Sequence, residues 1–277
     1  MGMLSINTNV GALKAADAAY SVNKSMETSM QRLSSGKRIN SAIDDAAGLQ
    51  ISQRMTAEIR GFNQAARNAA DAQSMLATME GAIAEQHNIL QRLREIAVQA
   101  ASDTNNAADR TALQSEADAL EAEISRISDD TTWANIQLID TNTTSFVFHV
   151  GPDASDTITH AQMDMAHWRT TGYNIADTNV VTTRATANTY IGVIDSAISV
   201  AGTQRETIGA LMNRLDYTMA NLTNMATNLS LAKGRVEDAD FAAESANLAR
   251  TQVLQQASMS MLAQANASKQ NILALFQ

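Results

Sequence analysis

The sequence predicts a mainly α-helical protein: a long antiparallel coiled-coil-like helical bundle formed by the N- and C-terminal segments, with a small β-hairpin region in the middle. Three observations predict this class. Apolar residues recur at alternating spacings of three and four in two long segments, which is the heptad pattern of packed helices. The 277 residues include a single proline, Pro152, so little else interrupts a helix. The composition is 45% hydrophobic but only 4% aromatic, which suits closely packed helices.

The first helix is predicted from an apolar stripe that leads into the segment Arg32–Met55 (RLSSGKRINSAIDDAAGLQISQRM). Gly36-Lys37 suggests a phosphate loop, but that motif needs GxxxxGK[ST] spacing after a strand, and here Arg38 follows the lysine. We therefore interpret the segment as a joint between helices, in which Asp44 or Asp45 is an N-cap. The stripe consists of Leu4, Ile6, Val10, Leu13, Tyr20, Met26, Met30 and Leu33.

Two heptad rods are predicted between the joint and the C-terminal helix. From about Thr56 to Ala101 the seam has one polar member and comprises Leu76, Met79, Ile83, Gln86, Leu90, Leu93 and Ala97. The capping residues of Ser102–Asp109 indicate a helix-turn-helix return to an antiparallel second helix. The later rod, which Lys233–Glu244 interrupts, repeats the spacing at Ile208, Met212, Leu215, Met219, Leu222, Ala226 and Leu229.

The centre of the chain predicts a β-hairpin at about residues 140–163. Alternate residues of Ser145–Val150 share one face, as in a half-buried strand, and Gly151-Pro152-Asp153 supplies a turn. One face carries Phe146, Phe148 and Val150, and the other carries Val147 and His149. Residues 164–190 are mixed and rich in Thr and Asn, so their pattern assigns no element.

Composition and spacing exclude several classes of site. The chain has no cysteine, which excludes disulfides, thiolate metal sites and cysteine nucleophiles, and its net charge of −9 argues against nucleic-acid binding. The four histidines lack HExxH and i, i+4 spacing, and the pairs Asp44-Asp45 and Asp129-Asp130 suit caps or turns. We therefore predict no metal, no cofactor and no catalysis. No apolar run is long enough to span a membrane, and the start lacks the pattern of a Sec signal.

Three blocks of the sequence resemble the bacterial flagellin family in its short type. They are Leu33–Ser52 (LSSGKRINSAIDDAAGLQIS), Gln91–Asn106 (QRLREIAVQAASDTNN) and Val236–Asn266, so the similarity covers both ends of the chain. The hook–filament junction proteins share this layout and are the alternative. Their joint usually carries a proline after the paired aspartates, where this chain has Ala46-Ala47.

The resemblance implies a structural subunit that polymerises into an extracellular flagellar filament for swimming motility, exported unfolded and uncleaved by the flagellar type III apparatus. It implies a discontinuous inner-tube domain of residues 1–46 and 236–277, and a rod domain of residues 47–235. The implied partners are copies of the chain itself, a secretion chaperone on the C-terminal helix, and the filament cap and hook-junction proteins. No nucleic acid and no membrane is expected among them.

Specific residues follow from the same resemblance. The joint between the domains is expected at Gly36, Lys37, Arg38, Asp44, Asp45 and Gly48. Polymerisation is expected through the apolar residues of the two ends, namely Leu4, Ile6, Val10, Leu13, Leu262, Ile272, Leu273, Leu275 and Phe276.

A surface patch of the first rod is a further candidate for a binding site. If Leu93 and Ala97 face inward, Arg92 faces outward, which composition alone explains as a solvated helix face. However, the segment QRLREIAVQ resembles the part of flagellins that the vertebrate Toll-like receptor for flagellin binds. The resemblance therefore implies a receptor contact through Arg92, Ile96 and Glu116.

Overall fold

The computed structural model describes residues 8–139, 145–161 and 180–274, with the side chains of all of these except 161 and 269–274. Within these residues the helices are α1 (Val10–Ser35), α2 (Ala46–Ala100), α3 (Ala107–Asp130), α4 (Arg184–Glu237) and α5 (Phe241–Ala274). Two short hairpins lie between α3 and α4. They pair β1 (Thr132–Trp133) with β2 (Ile136–Gln137), and β3 (Ser145–His149) with β4 (Thr157–Ala161). The predicted class, a helical bundle with a small central hairpin, is confirmed.

The chain divides into two compact units. The terminal unit combines Met1–Ala57 with Thr227–Gln277, and the rod unit is the continuous segment Glu58–Ala226. Helices α2 and α4 each contribute to both units. The domain boundaries that we predicted, which fall near the joint, stay a prediction.

In the rod unit, α2 lies antiparallel to both α3 and α4. In its contacts with each of these helices, a higher residue number on α2 pairs with a lower residue number on the partner helix. The pairs are Gln86–Ile124 and Arg92–Glu116 toward α3, and Glu80–Arg205 and Arg94–Asp195 toward α4. The short turn after α2 therefore makes the return that the sequence predicts.

The rod core is built on the predicted heptad seam of α2, whose seven members are all buried. Gln86 is the polar member, and its side-chain amide nitrogen donates to the Ile124 carbonyl at 3.2 Å and to the Ser128 hydroxyl at 2.8 Å. The large apolar side chains that are fully buried with it include Leu76, Ile83, Leu90, Leu93, Ile194, Ile208 and Leu215.

Capping side chains set the helix boundaries. The carboxylate of Asp45 accepts from the Gly48 amide at 2.8 Å, so Asp45, one of the two predicted N-caps, starts α2 at Ala46. Helix α4 continues through Gly234 to Glu237, since a single glycine is tolerated inside a long helix. The break falls at Asp240, inside the predicted interruption Lys233–Glu244; the Asp240 carboxylate accepts from the amide of Ala242 at 2.9 Å and starts α5.

The β3–β4 hairpin has the predicted alternation. Phe146 and Phe148 are partly buried, Val150 is buried, and Val147 is exposed on the other face. The β1–β2 hairpin was not predicted. Its turn residues Ala134 and Asn135 both have positive φ, 49° and 65°, which is the type I′ geometry that joins two strands tightly.

Candidate assembly surface and joint

Helices α1 and α5 pack against each other in antiparallel register, and we call them the terminal pair. The Gln255 side chain donates to the Asn23 side chain at 2.7 Å, and Arg32 lies 3.8 Å from the Glu244 carboxylate. Near the start of α1, the Asn9 amide donates to the Ala265 carbonyl at 3.2 Å. The Asn9 side-chain oxygen also accepts from the Ala12 amide and caps α1.

The buried side chains of the terminal pair are small or polar. Among its described residues the buried ones are Ala19, Ser29, Glu244 and Thr251. Larger apolar side chains of both helices point to solvent instead. They are Val10, Leu13, Tyr20, Met30, Phe241, Val253, Leu254, Met259 and Met261, each between 44% and 74% exposed.

Helix α5 has apolar side chains on every side. Leu248 and Leu262 are partly buried and lie on the side of Thr251, whereas Val253 lies on the far side and Met261 on a flank. A helix that is apolar all round is normally enclosed by protein. In the isolated chain, α1 covers only one side of α5.

The predicted polymerisation residues fall into three groups. Val10 and Leu13 are exposed at 51% and 56%, and Leu262 is partly buried. Ile272 and Leu273 lie in the last turns of α5, but their side chains are outside the described part. Leu4, Ile6, Leu275 and Phe276 lie outside the described residues altogether.

The joint begins where Gly36 ends α1. This glycine has φ of 70°, the left-handed conformation that side chains disfavour, and its amide donates to the Arg32 carbonyl at 2.8 Å. Its carbonyl then accepts from the Ala239 amide at 3.0 Å. The joint after α1 is thus tied to the chain between α4 and α5.

Lys37 and Arg38 continue this connection across the two chain segments. Lys37 forms an isolated antiparallel bridge with Asp238, and the Arg38 amide donates to the Glu237 carbonyl at 2.7 Å. The Arg38 guanidinium donates to the Val236 carbonyl, also at 2.7 Å. Backbone and side chains together hold the two segments of the joint in one register.

The Glu237 carboxylate is the buried charge of the joint. It pairs with the Lys37 ammonium, accepts from the Ser52 hydroxyl at 2.7 Å and lies 3.5 Å from the Lys233 nitrogen. The hydrogen bond from Lys37 holds the pKa of Glu237 below its ordinary value, and Ser52 and Lys233 act in the same direction against the effect of burial. One carboxylate therefore connects α4, the joint and the first turns of α2.

The two adjacent aspartates have different roles. The Asp44 carboxylate accepts from the amides of Ser41 and Asn40, at 2.9 and 3.1 Å, which holds the pKa of Asp44 below its ordinary value. Asp45 is the N-cap of α2. A Cβ on Gly48 would lie 2.5 Å from the Asp45 carboxylate, so the cap needs a glycine there.

Sequence reasoning missed Glu237 and Ser52 as joint residues. The i, i+4 spacing of Lys233 and Glu237 is a readable signal for one ion pair. The contact of Ser52 with Glu237 joins positions 185 residues apart, and no local pattern marks it.

The structure brings two of the three predicted receptor residues together on the rod unit. The Arg92 guanidinium donates twice to the Glu116 carboxylate, at 2.8 and 3.0 Å, and once to Glu95 at 2.8 Å. The prediction that Ile96 contacts the receptor is corrected, because the Ile96 side chain is fully buried and offers no surface to a partner. The physical reason is that α3 and α4 both cover α2. Helix α2 therefore buries side chains over a wider part of its circumference than a single heptad seam would.

Within the described residues, no group of three or more acidic or histidine side chains could hold a metal ion. No helix in that part of the chain combines the length and hydropathy that crossing a membrane requires.

Two protein-family models match the chain. The bacterial flagellin N-terminal helical region matches residues 6–144, and the bacterial flagellin C-terminal helical region matches residues 191–276. The flagellin of Halalkalibacterium halodurans is 39% identical over 277 aligned residues, which cover 98% of this chain and 99% of that protein.

Two solved structures resemble the fold. The crystal structure of Bacillus cereus flagellin covers 60% of this chain and 94% of its own, with 34% identity and a TM-score of 0.50. A putative flagellar hook-associated protein from Vibrio parahaemolyticus covers 70% of this chain and 100% of its own, with a TM-score of 0.60. Its identity is only 16%, so this second likeness concerns the fold alone.

Proposed function

The chain belongs to the bacterial flagellin family and is therefore a structural subunit of the extracellular flagellar filament, not an enzyme; on this premise we propose that its copies assemble through the terminal pair. The filament would bury the apolar side chains that α1 and α5 leave in solvent. The proposed surface includes the predicted polymerisation residues of both chain ends.

The proposal rests on one observation: α5 has apolar side chains on every side, and α1 covers only one of those sides. Fully burying one Val, Leu or Met side chain contributes roughly 1.5–3 kcal/mol. Exposed side chains of this type lie along both helices of the pair, at Val10, Leu13, Val253, Leu254, Met259 and Met261. A few such side chains at each contact suffice to stabilise the assembly when every subunit meets several neighbours.

A matched pair of substitutions tests the surface. Val253 on α5 and Val98 on α2 are both exposed helical valines, at 66% and 49%. We expect Val253→Gln to raise the concentration of unassembled subunit about tenfold, the effect of losing one apolar contact, and Val98→Gln to change it little. Sedimentation of filaments grown on seeds measures both. Equal effects of the two variants would contradict a surface confined to the terminal pair.

Truncation tests the chain ends directly. Removing residues 263–277 is expected to leave a soluble monomer whose rod unit is still folded, because the rod core lies within Glu58–Ala226. Circular dichroism checks the folding and electron microscopy checks assembly. Filaments formed by the truncated chain would refute the proposed mechanism. The same micrographs address the junction alternative, since a junction protein binds the end of a seed without elongating it.

We extend the proposal to export through the flagellar type III apparatus. The absence of cysteine suits passage of an unfolded chain, since no disulfide forms before export. A secretion chaperone that covers α5 would shield its apolar side chains inside the cell, and the filament cap and hook-junction proteins would meet the subunit at the filament ends. Secretion of the chain by cells that lack the flagellar export gate would contradict this route.

We also propose that the Arg92–Glu116 patch contributes to binding the vertebrate Toll-like receptor for flagellin. Both side chains are near half exposed and lie on adjacent helices of the rod unit. A reporter assay with Arg92→Ala and Glu116→Ala is expected to show lower potency. Arg126→Ala is the matched control, because Arg126 is exposed and pairs with Glu123 and Asp130 on α3. Unchanged potency in both test variants would remove the proposal.

A further inference from the structure

The methionines of the described residues differ sharply in exposure between the two units. Met259 and Met261 on α5 are 60% and 65% exposed, and Met30 on α1 is 55% exposed. In the rod core, Met75 and Met79 are only 7% and 3% exposed. Oxidation of a thioether requires access of the oxidant, so Met30, Met259 and Met261 are the most accessible targets among the described methionines, ahead of Met225 in the rod unit at 42%.

Two further features favour these side chains as targets for peroxide among the methionines of the described residues. The sequence contains no cysteine, so no thiolate competes for the oxidant. Met259 and Met261 are two residues apart on one helix and therefore point to different sides of it. Whichever neighbours enclose α5, at least one of these two sulfur atoms lies against them.

We propose that Met259 and Met261, together with Met30, are an oxidation site through which hydrogen peroxide prevents the free subunit from joining a filament. This inference rests on the assembly surface proposed above. In the free subunit the three thioethers are open to solvent. In the filament they would be covered by neighbouring subunits, so the modification acts on the subunit before assembly.

The chemical step is a two-electron oxidation of sulfur by peroxide. A sulfur lone pair attacks one oxygen of hydrogen peroxide, the S–O bond forms and the O–O bond breaks. The second oxygen leaves as water after a proton transfer, and methionine becomes methionine sulfoxide. The product is polar and a strong acceptor, so burying it in an apolar contact without a donor is unfavourable.

The test begins with the free, full-length chain treated with a graded series of peroxide concentrations. Peptide mass spectrometry is expected to find added oxygen at Met30, Met259 and Met261 before Met75 and Met79. Elongation of untreated seeds by the oxidised chain is expected to slow about tenfold, the equivalent of one lost apolar contact. Preformed filaments given the same peroxide are expected to resist oxidation at Met259 and Met261.

Matched variants assign the effect to these sulfur atoms. The triple variant Met30→Leu/Met259→Leu/Met261→Leu keeps apolar volume and is expected to elongate seeds with or without peroxide. Met225→Leu removes an exposed methionine of the rod unit, and peroxide is expected to slow the elongation of seeds by this variant as it does for the natural chain. If the triple variant does not elongate seeds, methionine sulfoxide reductases applied to the oxidised natural chain supply the second measurement, and restored elongation supports the proposal.

The outcomes separate this inference from the proposed function. If the untreated chain does not elongate seeds, the proposed assembly is at fault. If the untreated chain elongates and the oxidised chain elongates equally fast, the oxidation site is refuted. A triple variant that stays as sensitive as the natural chain, or reductases that restore nothing, refutes it as well.

Discussion

The terminal pair and the rod are both built from long antiparallel helices, yet they bury different side chains. The rod unit encloses large aliphatic residues completely, among them Leu76, Leu90 and Ile194. The terminal pair encloses Ala19, Ser29 and Thr251, and leaves most of its large apolar residues exposed. Burial of apolar area is the main favourable term in folding, so the two regions differ in stability although they share a helical geometry.

The difference shows that helix formation and stabilisation are separate properties. A long helix gains most of its stability in water from the packing of an apolar face. The rod completes that packing within one chain, whereas the terminal pair leaves it incomplete, and we propose that other subunits complete it. On the proposed assembly surface, the rod would fold within one chain and the terminal pair would provide the contacts between chains.

The largest expected effect is the loss of a rod-core side chain. Leu93→Ala removes a fully buried leucine and is expected to lower the free energy of unfolding by about 2–5 kcal/mol. Leu13→Ala on α1, where the leucine is 56% exposed, is expected to change it by less than about 0.5 kcal/mol. Urea unfolding of the monomer, followed by circular dichroism, measures both.

In an assembly assay the order of the two leucine variants should reverse, with the larger effect coming from Leu13→Ala. Leu13→Ala is expected to impair elongation of seeds more than its small effect on monomer stability implies. If Leu13→Ala destabilised the monomer as much as Leu93→Ala does, the contrast between the two regions would be wrong.

The second effect concerns a buried hydrogen bond in the rod unit. The Tyr190 hydroxyl donates to the Glu121 carboxylate at 2.5 Å, and both residues are buried. Burial, reinforced by Glu121, raises the pKa of Tyr190, so the hydroxyl keeps its proton and remains a donor. Tyr190→Phe is expected to cost about 1–3 kcal/mol, because a buried carboxylate loses a donor.

Tyr20 provides the control in the terminal pair. Its ring is 74% exposed, and Tyr20→Phe is expected to leave the free energy of unfolding unchanged. Equal thermal midpoints for Tyr190→Phe and the natural chain would show that the buried hydrogen bond contributes little.

The periodic parts of the fold were predictable from the sequence. All seven seam residues of α2 are buried, and the β3–β4 hairpin has the predicted alternation. Both results depend on local repetition, with heptad spacing in one case and alternation in the other. The likeness at both chain ends led to the family, which the family models then confirmed.

Features that depend on distant partners were not predictable. The charge on Glu237 is matched by Lys37, which lies 200 positions away, and the burial of Ile96 depends on a second helix that covers α2. The sequence left Asp44 and Asp45 open as the cap of α2, and the choice of Asp45 depends on the fold of the loop before it. The assembly residues are readable as apolar stripes, but which of them lie exposed depends on the packing of α1 against α5.

A third prediction concerns the pH dependence of the joint. The folded-state pKa of Glu237 lies below its ordinary value of 4.5, so its stabilising contribution is present above that value. The contribution is lost as the pH falls below 4.5 and through the lowered pKa. We expect the hydrogen-exchange protection of the Arg38 and Ala239 amides, which donate across the joint, to fall in this range.

Glu237→Gln isolates this titration from others. The Asp44 carboxylate also has a lowered pKa, but it accepts from Asn40 and Ser41 within its own loop. The variant is expected to have weaker protection at neutral pH and a smaller change on acidification. An unchanged pH profile in Glu237→Gln would show that another group controls the joint.

The smallest expected effect comes from the ion pairs on the rod surface. The Arg94 guanidinium donates to the Asp195 carboxylate at 2.6 Å, but both side chains are about half exposed, at 47% and 50%. Solvent screening and the entropy of holding two long side chains limit such a pair to about 0–1 kcal/mol. Arg94→Ala is therefore expected to shift the urea midpoint only slightly, and 1 M salt should remove most of that shift. A loss comparable to that of Leu93→Ala would mean that charge pairing, rather than the buried apolar seam, accounts for the stability that separates the rod from the terminal pair.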